Sequence, residues 1–168
     1  MSATLAQISF AELLDANRRD AEKWGAWFDA QPASVLDVPM TVAGTKDVRE
    51  FLLHIFAVEL RYAERLNGRE VTPYEALPTG SVADLFGIGG RAHEMYREYL
   101  ANATDEDLAI VLEFPTRSAG TLRASKRKMF AHAMLHSVRH WAQLATELRE
   151  AGYPTNWGKD FLMNDTME

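Results

Sequence analysis

The sequence has no cysteine among its 168 residues. This absence excludes disulfide bonds, zinc sites built from thiolates and a cysteine nucleophile. Any bound metal must therefore be held by nitrogen and oxygen ligands. A chain without disulfides fits a reducing compartment, and we expect a cytoplasmic location.

Long hydrophobic runs are also missing. No stretch reaches about 18 uninterrupted apolar residues, the minimum for a membrane-spanning helix. Residues 1–10 have neither the basic start nor the long apolar segment of a signal peptide. We therefore expect a soluble protein with no membrane segment.

Positively charged residues are fewer than negatively charged ones: the sequence has 18 Lys and Arg against 24 Asp and Glu, and its formal net charge is −6. Nucleic-acid phosphates require a strongly clustered positive surface, so we expect no specific nucleic-acid binding. One basic cluster exists, formed by Arg123, Lys126, Arg127 and Lys128. It is either a solvated helix face or an anion-attracting rim above a site, and the sequence leaves both interpretations open.

Strand signals are scarce, whereas four long segments carry apolar residues at helical spacing. The first helix is predicted over about 10–30, opened by the capping box Ser9-Phe-Ala-Glu12. The second is predicted to be capped by Thr45 and to end at Asn67-Gly68.

A second capping box, Ser81-Val-Ala-Asp84, opens the third helix, and the fourth is predicted over about 122–151, ending at Gly152. Residues 104–121 read as an irregular crossover with a short strand over 109–114. Four helices in a chain of this length predict an all-α four-helix bundle that forms a single domain over residues 1–168. The long connections indicate at least one overhand crossover.

The third helix contains three glycines, Gly87, Gly89 and Gly90. Each costs about 1 kcal/mol relative to alanine inside a helix, so their presence indicates a close helix crossing or a kink.

The histidines carry most of the chemical information. His136 and His140 are one turn apart on the fourth helix. A helical wheel places His140 within the buried apolar stripe of this helix and His136 at the edge of that stripe. His54 adjoins the apolar face of the second helix. A third imidazole from a neighbouring helix can complete a three-nitrogen metal site with open coordination positions. The alternative is that each histidine is an ordinary core or surface residue.

Other polar residues are expected to have structural or surface roles. His93 follows the glycine patch and is expected to be exposed, and His132 lies further toward solvent on the fourth helix. Glu59 and Glu64 are interpreted as solvated helix charges. Ser137, between the two histidines, is expected to leave space for ligands. No Glu-x-x-His motif of the di-iron bundles occurs, which makes a carboxylate-bridged dinuclear centre improbable.

Three segments resemble the DinB-like family, whose wider superfamily includes bacterial thiol-dependent S-transferases. They are Phe51-Leu-Leu-His54-Ile, the run His136-Ser-Val-Arg-His140-Trp-Ala-Gln143-Leu, and Leu148-Arg-Glu-Ala-Gly152. The resemblance implies a four-helix bundle in which His54, His136 and His140 bind a divalent metal, Zn²⁺ or Ni²⁺. Many relatives have His-Arg-Gly-Gln where this chain has His140-Trp141-Ala142-Gln143, so an arginine contact to substrate is missing. Trp141 is expected to pack against a neighbouring helix instead.

The resemblance implies, as the leading hypothesis, a metal-dependent transferase that activates a low-molecular-weight thiol toward a small-molecule substrate. A metal-dependent hydrolase and a non-catalytic metal or small-ligand binder stay open as alternatives, because no second catalytic group is identifiable. A homodimer is also expected, because the aromatic residues Trp24, Trp27 and Phe28 spread too far around the first helix for one narrow stripe. Trp27 is the member expected to be exposed, unless the 31–44 loop or the C-terminal tail covers these rings.

Overall fold

A computed structural model describes residues 8–116, 119–164 and 166 of the chain. Four long helices dominate it: α1 (Phe10–Asp29), α2 (Val48–Leu66), α3 (Val82–Asn102) and, after a short helix α4 (Asp105–Ala109) and two strands, α5 (Lys126–Glu150). The strands are β1 (Val111–Pro115) and β2 (Thr121–Ser125). Three short 3₁₀ helices also occur in the described residues, at Ala33–Asp37, Tyr74–Ala76 and Phe161–Met163. Residues 1–7, on which the expected absence of a signal peptide partly rests, lie outside the described residues.

The four long helices form a bundle with the ring order α1, α3, α2, α5. Helices α1 and α2 follow each other in sequence but lie diagonally across the bundle, and the same holds for α3 and α5. The connections between these pairs therefore pass across the bundle, which confirms the predicted helical bundle with crossover connections. Within the described part of the chain, no helix has both the length and the apolar character needed to cross a membrane.

The helix starts follow local hydrogen bonding. The Ser9 capping box is present, and Ser81 Oγ accepts from Asp84 N at 3.1 Å, as predicted. The prediction of Thr45 as the cap of α2 is wrong, because Asp47 Oδ1 accepts from Glu50 N at 2.8 Å. Thr45 Oγ1 instead donates to the Val42 carbonyl at 2.8 Å, closing a turn just before the helix.

The predicted start of the fourth helix at residue 122 is also wrong. Residues 121–125 form β2, which pairs antiparallel with β1, and Ser125 then caps α5. Pairing with a neighbouring strand overrides the helical pattern at this point. The strand predicted over 109–114 is present as β1, and part of the segment expected to be irregular forms α4; residues 117 and 118 of it lie outside the described residues.

This boundary divides the basic cluster. Arg123 lies on β2 and pairs with Glu113 at 3.6 Å, while Lys126 pairs with Asp107 at 2.6 Å. Part of the cluster is thus neutralised by neighbouring carboxylates within the described residues.

The α2–α3 crossing is close because of one glycine. A Cβ atom on Gly89 would lie 2.5 Å from Phe56 Cδ1, so only glycine allows this approach. The glycine patch thus marks a crossing, as predicted, and α3 continues through it.

Aromatic rings fill the other side of the core. Trp141 stacks on Trp24 of α1 at 5.5 Å between ring centroids, so its predicted packing against a neighbouring helix is confirmed. Trp157 from the C-terminal tail packs edge-on against Trp24 at 5.2 Å. Trp27, expected to be exposed, is half-buried against Trp24 and Phe28.

Candidate metal centre

Neighbouring helices α2 and α5 bring three histidines together. His54 Nε2 lies 3.3 Å from His140 Nε2, which in turn lies 3.1 Å from His136 Nε2. One nitrogen from each of the three rings falls within 4.8 Å of the other two. The sequence-predicted residues are therefore assembled at one point, with two of them from consecutive turns of one helix and the third from across the helix interface.

Helix geometry and burial direct these side chains. His136 is 7% exposed and His140 1% exposed, which places both on the inner side of α5. His54 is half-buried on α2 and stacks on Phe51, whose ring also packs edge-on against His140. The centre therefore has an apolar wall on one side and some access to solvent at His54.

A hydrogen bond sets the tautomer of His140. Its Nδ1 lies 2.6 Å from Gln143 Oε1, an oxygen that can only accept, so Nδ1 carries the proton. The Nε2 lone pair then faces His54 and His136. A glutamine one turn along the same helix thus orients the His140 ring, in the way that outer hydrogen-bond acceptors orient imidazoles in metal sites.

The electrostatic environment keeps the imidazoles neutral. Burial, reinforced by the neighbouring rings of His140 and His54, lowers the pKa of His136 to about 2. Burial also lowers the pKa of His140, against the opposing effect of Gln143. At neutral pH these two rings therefore offer nitrogen lone pairs rather than positive charges.

The nitrogen positions suit a divalent metal ion. Bonds of about 2.0–2.1 Å from an ion to imidazole nitrogen place two such nitrogens about 3.0–3.4 Å apart, depending on the coordination angle. The spacings of 3.1 and 3.3 Å around His140 fall in that range. Buried His136 Nδ1 makes no hydrogen bond within the described residues, so its ring has no competing polar contact on that side. The donor set fits an ion such as Zn²⁺ or Ni²⁺.

Two further side chains border the centre. Arg139 Nη2 lies 3.1 Å from His140 Nε2, which brings a guanidinium to the edge of the three-nitrogen site. His132 is exposed, as predicted, with its ring 5.6 Å from that of His136 and 5.5 Å from that of Tyr62. The rim thus combines positive charge with aromatic surface.

Three expectations about polar residues are wrong. His93 is 5% exposed rather than exposed, and its Nε2 lies 2.8 Å from Asn17 Oδ1. Glu59 and Glu64 are 1% and 3% exposed rather than solvated. Glu64 accepts from Thr72 N at 2.8 Å, while Glu59 accepts from Ser137.

Burial is the largest influence on the pKa values of Glu59 and His93. It raises the pKa of Glu59 to about 7, against the hydrogen bond from Ser137. It lowers the pKa of His93 to about 4, with Arg18 and Arg97 adding to the effect. The two side chains lie 3.6 Å apart. Between about pH 4 and pH 7 the Glu59 carboxyl is protonated and the His93 ring is neutral, so they do not form an ion pair.

The sequence does contain a signal for the burial of Glu59. Leu52, Phe56, Ala63 and Leu66 follow one face of α2, and Glu59 occupies the position between them on that face. A carboxylate in the middle of an apolar stripe indicates a buried polar role. Asn17 carries no such signal, because Arg18 and Arg19 follow it directly on α1.

A groove of about 550 Å³ lies elsewhere, between α1 and α3, with His93 among its lining residues. The three histidines are not part of it. Its charged rim residues Arg18 and Arg97 pair with Glu22 and Glu94. We therefore place the chemistry at the histidine centre, where ligand-type atoms converge.

Comparison with known proteins agrees with this architecture. The DinB family model matches residues 1–166, nearly the full sequence. The chain belongs to the DinB family. Membership in this family and the three converging histidines are both compatible with metal binding at the centre.

Among solved structures, the chain is similar to the crystal structure of YjoA, a DinB-like protein from Bacillus subtilis. The TM-score is 0.58 and the sequence identity 18%, over 90% of this chain and 96% of that one. At this identity the likeness concerns the fold alone. No curated protein matches the chain.

Proposed function

We propose that this DinB-family chain is a metal-dependent transferase that joins a low-molecular-weight thiol to a small electrophilic substrate. The observation that carries the proposal is the convergence of the three histidine nitrogens in a protein without a thiol of its own. His54, His136 and His140 would hold the ion, and imidazole ligands favour Zn²⁺ or Ni²⁺ over Mg²⁺ or Ca²⁺. Three protein ligands would leave room for one or more exogenous ligands.

A divalent ion in such a site lowers the pKa of a coordinated thiol or water toward neutrality. In the overall reaction the thiol sulfur forms a bond to an electrophilic carbon and the thiol proton is released. The electron pair of the bond that breaks at that carbon departs with the leaving group. The chain contributes no nucleophile of its own, in keeping with its lack of cysteine.

The residues around the centre would orient the reactants. Gln143 holds the His140 ring in the tautomer that leaves Nε2 available. Arg139 reaches the edge of the centre, where its guanidinium would bind a carboxylate or phosphate on the thiol or the substrate. Phe51 would keep water from one side of the three rings.

The first test is replacement of His136 by alanine. We expect the purified variant to lose its stoichiometric metal, measured by elemental analysis, and to keep most of its helicity in circular dichroism. His132→Ala is the matched control, because this exposed histidine lies one turn away on the same helix and outside the three-nitrogen set. Full metal occupancy in a protein with alanine at positions 54, 136 and 140 would refute the assignment.

The second test is a thiol-consumption screen with a panel of electrophiles. We expect thiol loss with the metal-loaded protein and none after chelation. Ester turnover without thiol would favour the hydrolase, and metal binding without either activity would favour a non-catalytic binder.

A further inference from the structure

A layer of four buried polar residues crosses the middle of the bundle. The members of this polar layer come one from each long helix: Asn17 of α1, Glu59 of α2, His93 of α3 and Ser137 of α5. None is more than 5% exposed. Polar groups are costly to bury unless they bind one another, so their contacts carry structural information.

The contacts run from helix to helix. Ser137 Oγ donates to Glu59 Oε1, and it also lies 3.2 Å from the Ala133 carbonyl on its own helix. His93 Nε2 lies 2.8 Å from Asn17 Oδ1 and 3.6 Å from Glu59 Oε2. Glu59 is thus the member that contacts both α5 and α3.

The polar layer adjoins the histidine centre along both helices that carry it. Ser137 directly follows His136, and Glu59 lies on α2 beyond His54. The hydrogen bond between Ser137 and Glu59 therefore joins the two elements whose relative placement determines whether the three imidazoles converge.

Rotation of α5 is the movement that this bond opposes. Side-chain atoms lie about 5–6 Å from a helix axis, so a rotation of about 20° displaces them by about 2 Å. A ligand set works only when its atoms stay within about 0.5 Å of their positions. Apolar packing is non-directional and resists such a rotation less strictly than a hydrogen bond between fixed atoms.

We propose that Glu59 is a positioning residue for the histidine centre, which it controls by holding Ser137 and with it the rotation of α5 against α2. The inference rests on the proposed metal centre. Glu59 does not touch the metal or the reactants; it acts through the backbone between His136 and His140.

The test compares Co²⁺ binding by variants of the full-length protein. Ser137→Ala and Glu59→Leu each remove the bond, whereas Glu59→Gln keeps an oxygen that accepts from Ser137. Tyr96→Phe is the matched control, because Tyr96 donates to the Glu59 backbone carbonyl at 2.8 Å and its loss leaves the Glu59 side chain in place. Free energies of unfolding of the metal-free proteins are measured in parallel by urea titration.

We expect Ser137→Ala and Glu59→Leu to weaken Co²⁺ binding about tenfold or more, the size of effect seen when outer-shell contacts of metal sites are lost. The visible absorption of bound Co²⁺ should also change, because the ligand arrangement changes. Glu59→Gln should restore most of the affinity. Tyr96→Phe should keep the wild-type affinity and spectrum even if it is less stable, which separates positioning from general stability.

Wild-type affinity and spectrum in both Ser137→Ala and Glu59→Leu would overturn the inference and leave the proposed function intact. Failure of the wild-type protein to bind Co²⁺ at the three histidines would overturn both. The wild-type titration therefore tells the two failures apart.

Discussion

His140 uses both of its ring nitrogens. One is bound to Gln143 at 2.6 Å and the other faces the two remaining histidines. Its ring is therefore oriented before any ion binds, and less conformational freedom is lost on binding. This residue also has the lowest exposure of the three, which makes it the fixed point of the centre.

We predict that Gln143→Leu weakens divalent metal binding about 10–100-fold, because the His140 ring loses the acceptor that fixes its tautomer. A competition titration with a chromogenic chelator measures the effect. Gln143→Glu, which keeps an acceptor oxygen, is the control and should stay close to wild type. Equal affinities in the leucine variant and the wild type would contradict the role of Gln143.

A pH-dependent prediction concerns Glu59, whose pKa burial raises from 4.5 to about 7. Between these values the folded state holds a proton that the unfolded state has lost, so the Glu59 contribution to the free energy of unfolding falls as pH rises. Glu59→Gln removes this dependence. The free energy of unfolding of the variant, relative to that of the wild type, should therefore increase by up to about 1.4 kcal/mol per pH unit between pH 5 and pH 6.5.

Urea unfolding at several pH values in that window checks the prediction. A chelator keeps both proteins metal-free, and the titrations of His93 and His136 occur in both proteins. Parallel pH profiles for the wild type and Glu59→Gln would show that Glu59 ionises normally in the folded protein.

At the scale of elements, the α2–α3 crossing depends on Gly89. We predict that Gly89→Ala lowers the free energy of unfolding by about 1–3 kcal/mol, because the new methyl group would overlap the Phe56 ring. Gly90→Ala is the matched control, because Gly90 is exposed and, within the described part of the chain, no atom outside its own helix lies within 4 Å of an added Cβ. It should raise stability by about 0.5–1 kcal/mol. Equal effects of both substitutions in urea unfolding would be incompatible with the close crossing.

The sequence predicted those elements whose ends are determined locally. The capping box at Ser9, the side-chain cap at Ser81 and the stop at Gly152 depend on residues within one helical turn. The start of α5 was misplaced because β2 is stabilised by β1, a partner that local periodicity does not reveal. Thr45 and Asp47 are both acceptable caps in sequence, and only the turn at Val42 distinguishes them.

The same distinction applies to the centre and the polar layer. His136 and His140 share a helix face by spacing alone, so two of the three histidines of the centre could be predicted from one segment. The apolar stripe of α2 indicates a buried position for Glu59, whereas the burial of His93 depends on its contact with Asn17 of another helix, which single-helix patterns represent poorly. The position of His54 beside the apolar face of the second helix joined it to the pair, the family resemblance supported this, and the structure brings it within hydrogen-bond distance of His140.

At the scale of the whole molecule, the homodimer stays a prediction. Trp24 and Phe28 are each 1% exposed, so the aromatic surface first expected to form the interface is largely covered by the chain itself. Leu135 and Val138, which are 63% and 39% exposed on the outer side of α5, offer apolar surface to a second copy instead.

Light scattering at micromolar concentration should give twice the 18.9 kDa mass of one chain. Leu135→Glu, which places a charge on that surface, should shift the equilibrium toward the monomer. A single species with the mass of one chain in the wild-type protein would contradict the predicted homodimer.

The spacing of the histidines affects how well they can define the register of α5 against α2. Three histidines recur every fourth residue along α5: His132, His136 and His140. If α5 slid by one turn so that His132 and His136 took the places of His136 and His140, two imidazoles would still face His54, so the histidines alone do not distinguish these two registers. Ser137 does, because this slide would set Ala133 against Glu59 and leave a buried carboxyl without its donor. The single serine thus selects between the two registers that the histidine spacing would accept.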